Sequence, residues 1–251
     1  MSTNEGSLNE ERMVVALNDK TFGELNPNLQ TFVLQLFPQL DKSKKINCYH
    51  AEPYTKPDIM ISQGATRRFV SLKTGTSETV HNEKIEPFIE FLKENGFDDY
   101  TIESYLLYHF GDGTTDGTGT KRLGVFEVRK KYDERIRALN AAFNKDKSFV
   151  KKFTDRVMFK GVEPLAEAAD VVYHGTEEFG VFMSRFQLMR HIELRDWSYM
   201  QFAVHIGPFV LRPRARYPGK NVKSDENRRF VVVSYPRLAS DMLFIRNRYL
   251  F

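Results

Sequence analysis

Two short apolar runs around one tight-turn signal constrain this chain more than any other feature: Lys56-Pro57-Asp58-Ile59-Met60-Ile61-Ser62, then Gln63-Gly64-Ala65-Thr66, then Arg67-Arg68-Phe69-Val70-Ser71-Leu72-Lys73. Proline cannot donate to a sheet ladder, so Pro57 predicts a strand whose first residues lie at an edge. The glycine-containing segment predicts a direct return of the chain. In a hairpin about that turn, positions whose numbers sum to about 131 lie opposite one another, which sets Asp58 against Lys73 and Met60 against Ser71. Side chains two apart share a sheet face, so Asp58, Ser71 and Lys73 are expected together. A carboxylate and an ammonium then converge at one edge of a small sheet.

That pairing suits phosphodiester chemistry. Hydrolysis at neutral pH needs a hard cation to polarise the phosphate and acidify an attacking water. Mg²⁺ takes oxygen from one or two carboxylates and keeps several waters, so an aspartate at a strand end is a suitable seat. The lysine can orient the water or stabilise charge in the transition state. Taken singly, a Pro-Asp pair is common in turns and a lysine ending a strand is often a solvated edge device. Ser71 reads as a small spacer rather than a nucleophile, because no histidine or acid stands at a spacing that would activate its hydroxyl.

The segment from Pro57 to Lys73 resembles the signature of the PD-(D/E)XK nuclease superfamily, in most members of which the position of Ser71 carries Asp or Glu. More similar is a branch of type II restriction endonucleases with Ser or Ala two residues before the lysine, the missing acid being supplied from the following helix. His81-Asn82-Glu83-Lys84-Ile85-Glu86 is similar to the local pattern of that helix. The resemblance thus implies Glu86 as a metal ligand beside Asp58, with Glu83 and Glu78 as substitutes. A helix carrying Ile85, Phe88, Ile89, Phe91 and Leu92 as its apolar stripe has Glu86 at its border. The resemblance also implies a glutamate on the helix before the core sheet. Leu8 to Asn18 reads as that helix, with Val14 and Leu17 inward and Glu10 on the same face, and with Glu11 beside Val15. The plainer reading of both acids is favourable charge at a helix N-terminus.

A second signal is basic. From Arg185 to Lys223 the chain carries eight Lys or Arg against two acids, Glu193 and Asp196. Arg212, Arg214 and Arg216 alternate after the strand-like Tyr199–Ile206 segment, so an extended chain sets three guanidinium groups on one side. Lys220 and Lys223 follow around the loop Tyr217-Pro218-Gly219-Lys220-Asn221. Guanidinium groups match phosphate oxygens and the guanine edge, so a polyanion is the expected partner. A solvated basic face is the ordinary alternative.

The remaining chain gives organisation. Ile46–His50 and Thr101–Phe110 read as strands, Gly111–Thr120 as a hairpin tip, Val125–Glu167 as helical with Phe143, Phe149, Phe153 and Val157 inward, and Arg228–Tyr235 as a buried strand. Glu178–Leu194 reads as a helix with Phe179, Phe182, Phe186, Met189 and Ile192 as a core stripe. A length of 251 residues buries a full core, and 28% charged with 41% hydrophobic residues is ordinary for a folded chain. Cys48 is the only cysteine, which excludes an internal disulfide and a thiolate metal cluster. The opening residues lack a signal pattern and no stretch approaches a membrane span, so a cytoplasmic protein is expected.

These readings predict an α/β fold with a restriction-endonuclease-like mixed central sheet flanked by helices, with helical and basic β-rich additions. One nuclease domain over 1–251 is expected, with its core at about 40–125 and a substrate-binding elaboration at about 126–251. The implied function is Mg²⁺-dependent hydrolysis of double-stranded DNA as a type II restriction endonuclease, with Asp58, Ser71, Lys73, Glu86 and Glu10 at the site. Action on two antiparallel strands favours a homodimer, and the resemblance to the branch with the relocated acid implies a homotetramer as the alternative. The alternatives are a non-catalytic DNA-binding protein with a degenerate nuclease fold and a structure-specific repair nuclease.

Overall fold

A computed structural model describes all residues except 1–4, 54, 75–77, 121–122, 164–166, 198–202, 216–225 and 250–251, and the side chains of 248 and 249. The chain divides into two compact units: Met1–Ser77, Thr154–His191 and Arg237–Phe251 form the first, and Glu78–Phe153 with Ile192–Pro236 the second.

The first unit is built on a mixed five-stranded sheet of order β1-β2-β3-β5-β6: β1 Asn47–His50, β2 Ile59–Gln63, β3 Thr66–Lys73, β5 Val171–Gly175 and β6 Gly180–Ser184. Only β3 and β5 run parallel; the other neighbours are antiparallel. Helices α1 Glu5–Leu17 and α2 Pro27–Leu36 bring Met13, Leu17, Leu29, Phe32, Val33 and Leu36 onto Cys48, Ile59, Ile61, Val70, Leu72, Tyr173 and Phe182. Asn26 caps α2, its side chain accepting from Leu29 N–H, and Pro27 sits in the first turn, where its missing donor costs nothing. The chain enters the sheet again through a π-helical segment, Arg156–Lys160, which packs against β5, while helix α9, Leu238–Tyr249, packs against β6.

The second unit carries an antiparallel sheet of order β4-β9-β8-β7: β4 Thr79–Lys84, β9 Phe230–Ser234, β8 Phe209–Pro213 and β7 His205–Ile206. Helices α3 Ile85–Glu94, α4 Asp99–Phe110, α5 Val125–Lys131, α6 Asp133–Lys145 and α7 Lys147–Asp155 supply its aromatic core. Within it Phe88 meets Tyr105 at 5.0 Å between ring centroids, Phe97 meets Phe149 at 4.6 Å and Phe153 meets Phe209 at 5.6 Å.

The expected hairpin, α1, β1 and β9 are present, and Phe143, Phe149, Phe153 and Val157 are buried. Several expectations are corrected. Gln63 pairs with Thr66 and Ile59 with Val70, so opposed numbers sum two lower than expected and Met60 faces Phe69 rather than Ser71. A slip of two preserves the faces, so Asp58, Ser71 and Lys73 stay together. Thr79–Lys84 is a strand, and the helix expected to carry the borrowed acid begins only at Ile85. Thr101–Phe110 is helix and not strand: Asp98 caps it by accepting from Thr101 N–H, and Gly111 ends it at φ 63°. The loop Gly111–Thr120 follows that helix and is no hairpin tip. Glu178–Leu194 is the strand β6 followed by helix α8, Arg185–Leu194, and Phe179 and Phe186 are exposed rather than in the core. Helix gives way after Lys160, short of Glu167.

Candidate active site

Asp58 stands just before β2 and Ser71 and Lys73 end β3, at one end of the first sheet. The Asp58 N–H donates to Val70 O at 2.9 Å and so extends the hairpin by one residue. Pro57 is buried immediately before it, where the fixed φ begins the strand without removing a ladder bond. One carboxylate oxygen of Asp58, Oδ2, accepts from Leu72 N–H and from Ser71 Oγ at 3.2 Å, and lies 3.6 Å from Lys73 Nζ. Lys73 Nζ donates in turn to Ser71 Oγ and to Leu72 O, both at 2.8 Å. Ser71 is fully buried and its hydroxyl joins carboxylate to ammonium. Such a hydroxyl is committed to positioning, which answers why no base attends it.

The side chains of Asp58 and Lys73 are 25% and 15% exposed, enough to meet a ligand and little enough to be held. Asp58 Oδ1 makes no hydrogen bond to a described residue. Glu10, on the first turns of α1, faces this group. Burial first, and the Asp58 charge second, push its carboxyl above the usual range, against weaker opposition from His50 and Lys73. The Asp58 carboxylate, whose Oδ1 accepts from no described residue, and the Glu10 carboxyl that it helps to raise form a donor set matching a hard divalent ion that keeps most of its waters. Among the described residues no group of three His, Cys, Asp or Glu side chains is arranged to hold a metal. A one- or two-carboxylate seat remains compatible with Mg²⁺.

Glu11 pairs with His50 at 3.1 Å, half exposed. Glu86 belongs to the second unit, where Arg229 Nε and Nη2 both donate to its Oε1. Burial works to raise the Glu86 carboxyl, but the Arg229 guanidinium overrides it and holds the group below the usual carboxylate range. Glu83, also in the second unit, is buried beside His81, and the Glu78 side chain is exposed.

Of the basic residues, Arg212 is exposed on β8, 3.5 Å from Thr79 Oγ1, and Arg214 lies over the Phe230 ring at 5.7 Å. Arg216, Lys220, Lys223 and the loop from Tyr217 to Asn221 lie outside the described residues, as do Tyr199 to Phe202 of the segment read as a strand.

Sequence reasoning missed His174. It lies near the end of β5, paired with Lys73 on the parallel neighbour strand, and burial first, with Lys73 adding to it, lowers its imidazole below the ordinary range. A run as short as Val171-Val172-Tyr173 carries little signal of its own, and its partner strand is about a hundred residues away in sequence.

No family model matches the chain, and no curated protein matches it significantly. Among solved structures, a crystal structure of the restriction endonuclease MspI in complex with its cognate DNA matches at TM-score 0.56 and 9% identity, covering 91% of this chain and 88% of that one. The fold is restriction-endonuclease-like. The mixed sheet bearing Asp58, Lys73 and His174 at one end is thus a sheet of that fold. No described helix is long and apolar enough to cross a membrane.

Proposed function

We propose that this chain is a Mg²⁺-dependent endonuclease that hydrolyses phosphodiester bonds of double-stranded DNA, a type II restriction endonuclease of the PD-(D/E)XK kind. The observation that carries the reading is the joining of Asp58 to Lys73 through buried Ser71 at one end of a restriction-endonuclease-like sheet. MspI, a structural neighbour, is a restriction endonuclease seen with its cognate DNA.

Asp58 Oδ1 and the Glu10 carboxylate would hold the ion, which when bound supplies Lewis acidity and a more acidic water. Ser71 and the Leu72 N–H hold Asp58 by its Oδ2 and so leave Oδ1 for the ion. Lys73, its ammonium kept in place by Ser71 and Leu72 O, orients the attacking water and meets the charge that grows on phosphate. Glu10 takes the part that the resemblance gives to Glu86, because Glu86 is engaged by Arg229. Arg212 and Arg214 would contact phosphates, and cleavage of two antiparallel strands favours a two-fold homodimer.

The test is cleavage of plasmid and phage DNA with Mg²⁺. Discrete fragments are expected, lost by more than about 100-fold in Asp58→Asn and Lys73→Ala, a range typical of removing a charge-stabilising group. Glu10→Gln should follow them and Glu86→Gln should not; the opposite order would assign the relocated acid to Glu86. A second reading, a DNA-binding protein without catalysis, draws on the hydroxyl at position 71 where an acid would strengthen metal binding. Tight binding with no cutting across many DNAs and divalent metals would favour it.

A further inference from the structure

The sheet end that holds Lys73 and His174 continues into the β5–β6 hairpin, whose tip carries Phe179 at 83% exposure. This turn is unusually well fixed. Tyr173 Oη donates to Thr176 O at 2.6 Å, Thr176 N–H donates to Phe179 O at 2.8 Å, and the side-chain amides of Asn26 and Asn28 both donate to Glu177 O. Gly175 (φ 132°) and Gly180 leave no room for a side chain: a Cβ at the first would lie 2.2 Å from Phe179 O and at the second 2.1 Å from the Tyr173 ring. None of these contacts uses the Phe179 ring. An exposed phenyl on a locked turn loses little entropy on contact and offers its area to a partner.

Behind the tip lies a groove of about 630 Å³, within the size range of small-ligand sites, lined by Phe179, Gly180, Val181, His174, Glu178 and Arg246. Its apolar wall suits a flat ring. Among the described residues Glu178 and Arg246 make no ion pair, and they bring a carboxylate acceptor and a guanidinium donor to its lining. An acid at the rim disfavours a bare phosphate and accepts from an exocyclic amino group of a base.

We propose that this groove receives one unstacked base of the DNA substrate, stacked on Phe179, beside the cleavage site. The proposal rests on the nuclease reading, because it takes the DNA held at Asp58 and Lys73 as the source of the base. Sequence-tolerant base stacking on an aromatic accounts for roughly 5- to 100-fold in affinity, so Phe179→Ala should weaken binding by that factor and Phe179→Trp should restore it. Both variants should unfold at the wild-type temperature, since the ring touches little.

The decisive measurement places 2-aminopurine in turn at each position around the mapped cleavage site and reads its emission on binding Asp58→Asn protein. One position should brighten several-fold, and that rise should fall in the Asp58→Asn, Phe179→Ala double variant. Wild-type affinity in Phe179→Ala, or no position that brightens, overturns the inference and leaves the nuclease reading standing. Failure of the wild-type chain to bind any DNA would take both down together.

Discussion

Ser71 sets the character of the site at the level of single atoms. Its hydroxyl donates to Asp58 and accepts from Lys73, so one neutral group does the alignment that an acid would do with charge. In Ser71→Ala, Lys73 keeps Leu72 O and Asp58 keeps Leu72 N–H, so thermal unfolding should show a loss of about 1 kcal/mol, the usual net worth of one hydrogen bond. Ser71→Asp is the sharper experiment. A buried carboxylate beside Asp58 should destabilise the chain by about 1–3 kcal/mol in EDTA, and Mg²⁺ should recover part of that loss if the site seats an ion. An equal loss with and without Mg²⁺ would count against the metal seat. A second titration belongs at this scale. His205 is buried, and burial holds its imidazole below the ordinary value despite carbonyl contacts to Trp197 and Ala203. The unfolded chain therefore binds the proton more readily. Stability from the neutral imidazole is present above about pH 6.5 and is lost as the pH falls below it, so urea unfolding at pH 7.5 and 5.5 should differ in the wild type and differ less in His205→Gln.

At the level of elements, the hairpin that carries the site was legible because Gly64 and the two apolar runs speak the same local language. Gly64 has φ 60° at the first position of a two-residue turn, a conformation that needs no Cβ. Gly64→Val should cost about 1–2 kcal/mol by thermal unfolding, and loosening of the Asp58–Lys73 alignment should lower cleavage alongside it. Register was the part left open, since Gln63 and Thr66 look like turn residues and are the closing pair of the strands. Thr101–Phe110 misleads through composition: β-branched and aromatic residues suggest a strand, yet Ile102, Tyr105 and Tyr108 recur at three-residue spacing and are buried together. The cap at Asp98 and the αL glycine at 111 were the better evidence. Phe179, Phe182 and Phe186 misled in the other direction. Their helix-like spacing runs through a strand, and the two exposed rings reflect surface chemistry that periodicity does not encode. Lys73 is legible because its hairpin is local and Glu10 because the resemblance implies an acid on the first helix; His174 comes beside Lys73 only through a parallel pairing far along the sequence.

For the whole molecule, a net charge of +4 from 37 basic and 33 acidic residues is too small to hold DNA by overall attraction. Binding must come from particular arginines, and their surroundings sort them. Arg228 is buried against Asp112, with side-chain exposures of 4% and 0% at 2.9 Å, and also donates to Gly117 O. Its charge is therefore structural: Arg228→Ala leaves a buried carboxylate without that partner and should cost about 3–5 kcal/mol in stability. Arg229 is tied to Glu86. Arg212 and Arg214, in contrast, are exposed, and among the described residues their side chains show a long hydrogen bond to Thr79 and a ring contact with Phe230. Each should release about one counterion on meeting a phosphate, so each alanine substitution should reduce the slope of log K against log salt by about 1 while weakening binding evenly across DNA sequences. Fluorescence anisotropy from 50 to 200 mM salt, a range over which such contacts change affinity strongly, separates the two classes. Arg212→Ala and Arg214→Ala should flatten the salt response at unchanged melting temperature, whereas Arg228→Ala should lower the melting temperature and leave the slope of the folded fraction as it was. A salt slope indifferent to both exposed arginines would move the DNA-binding surface away from β8.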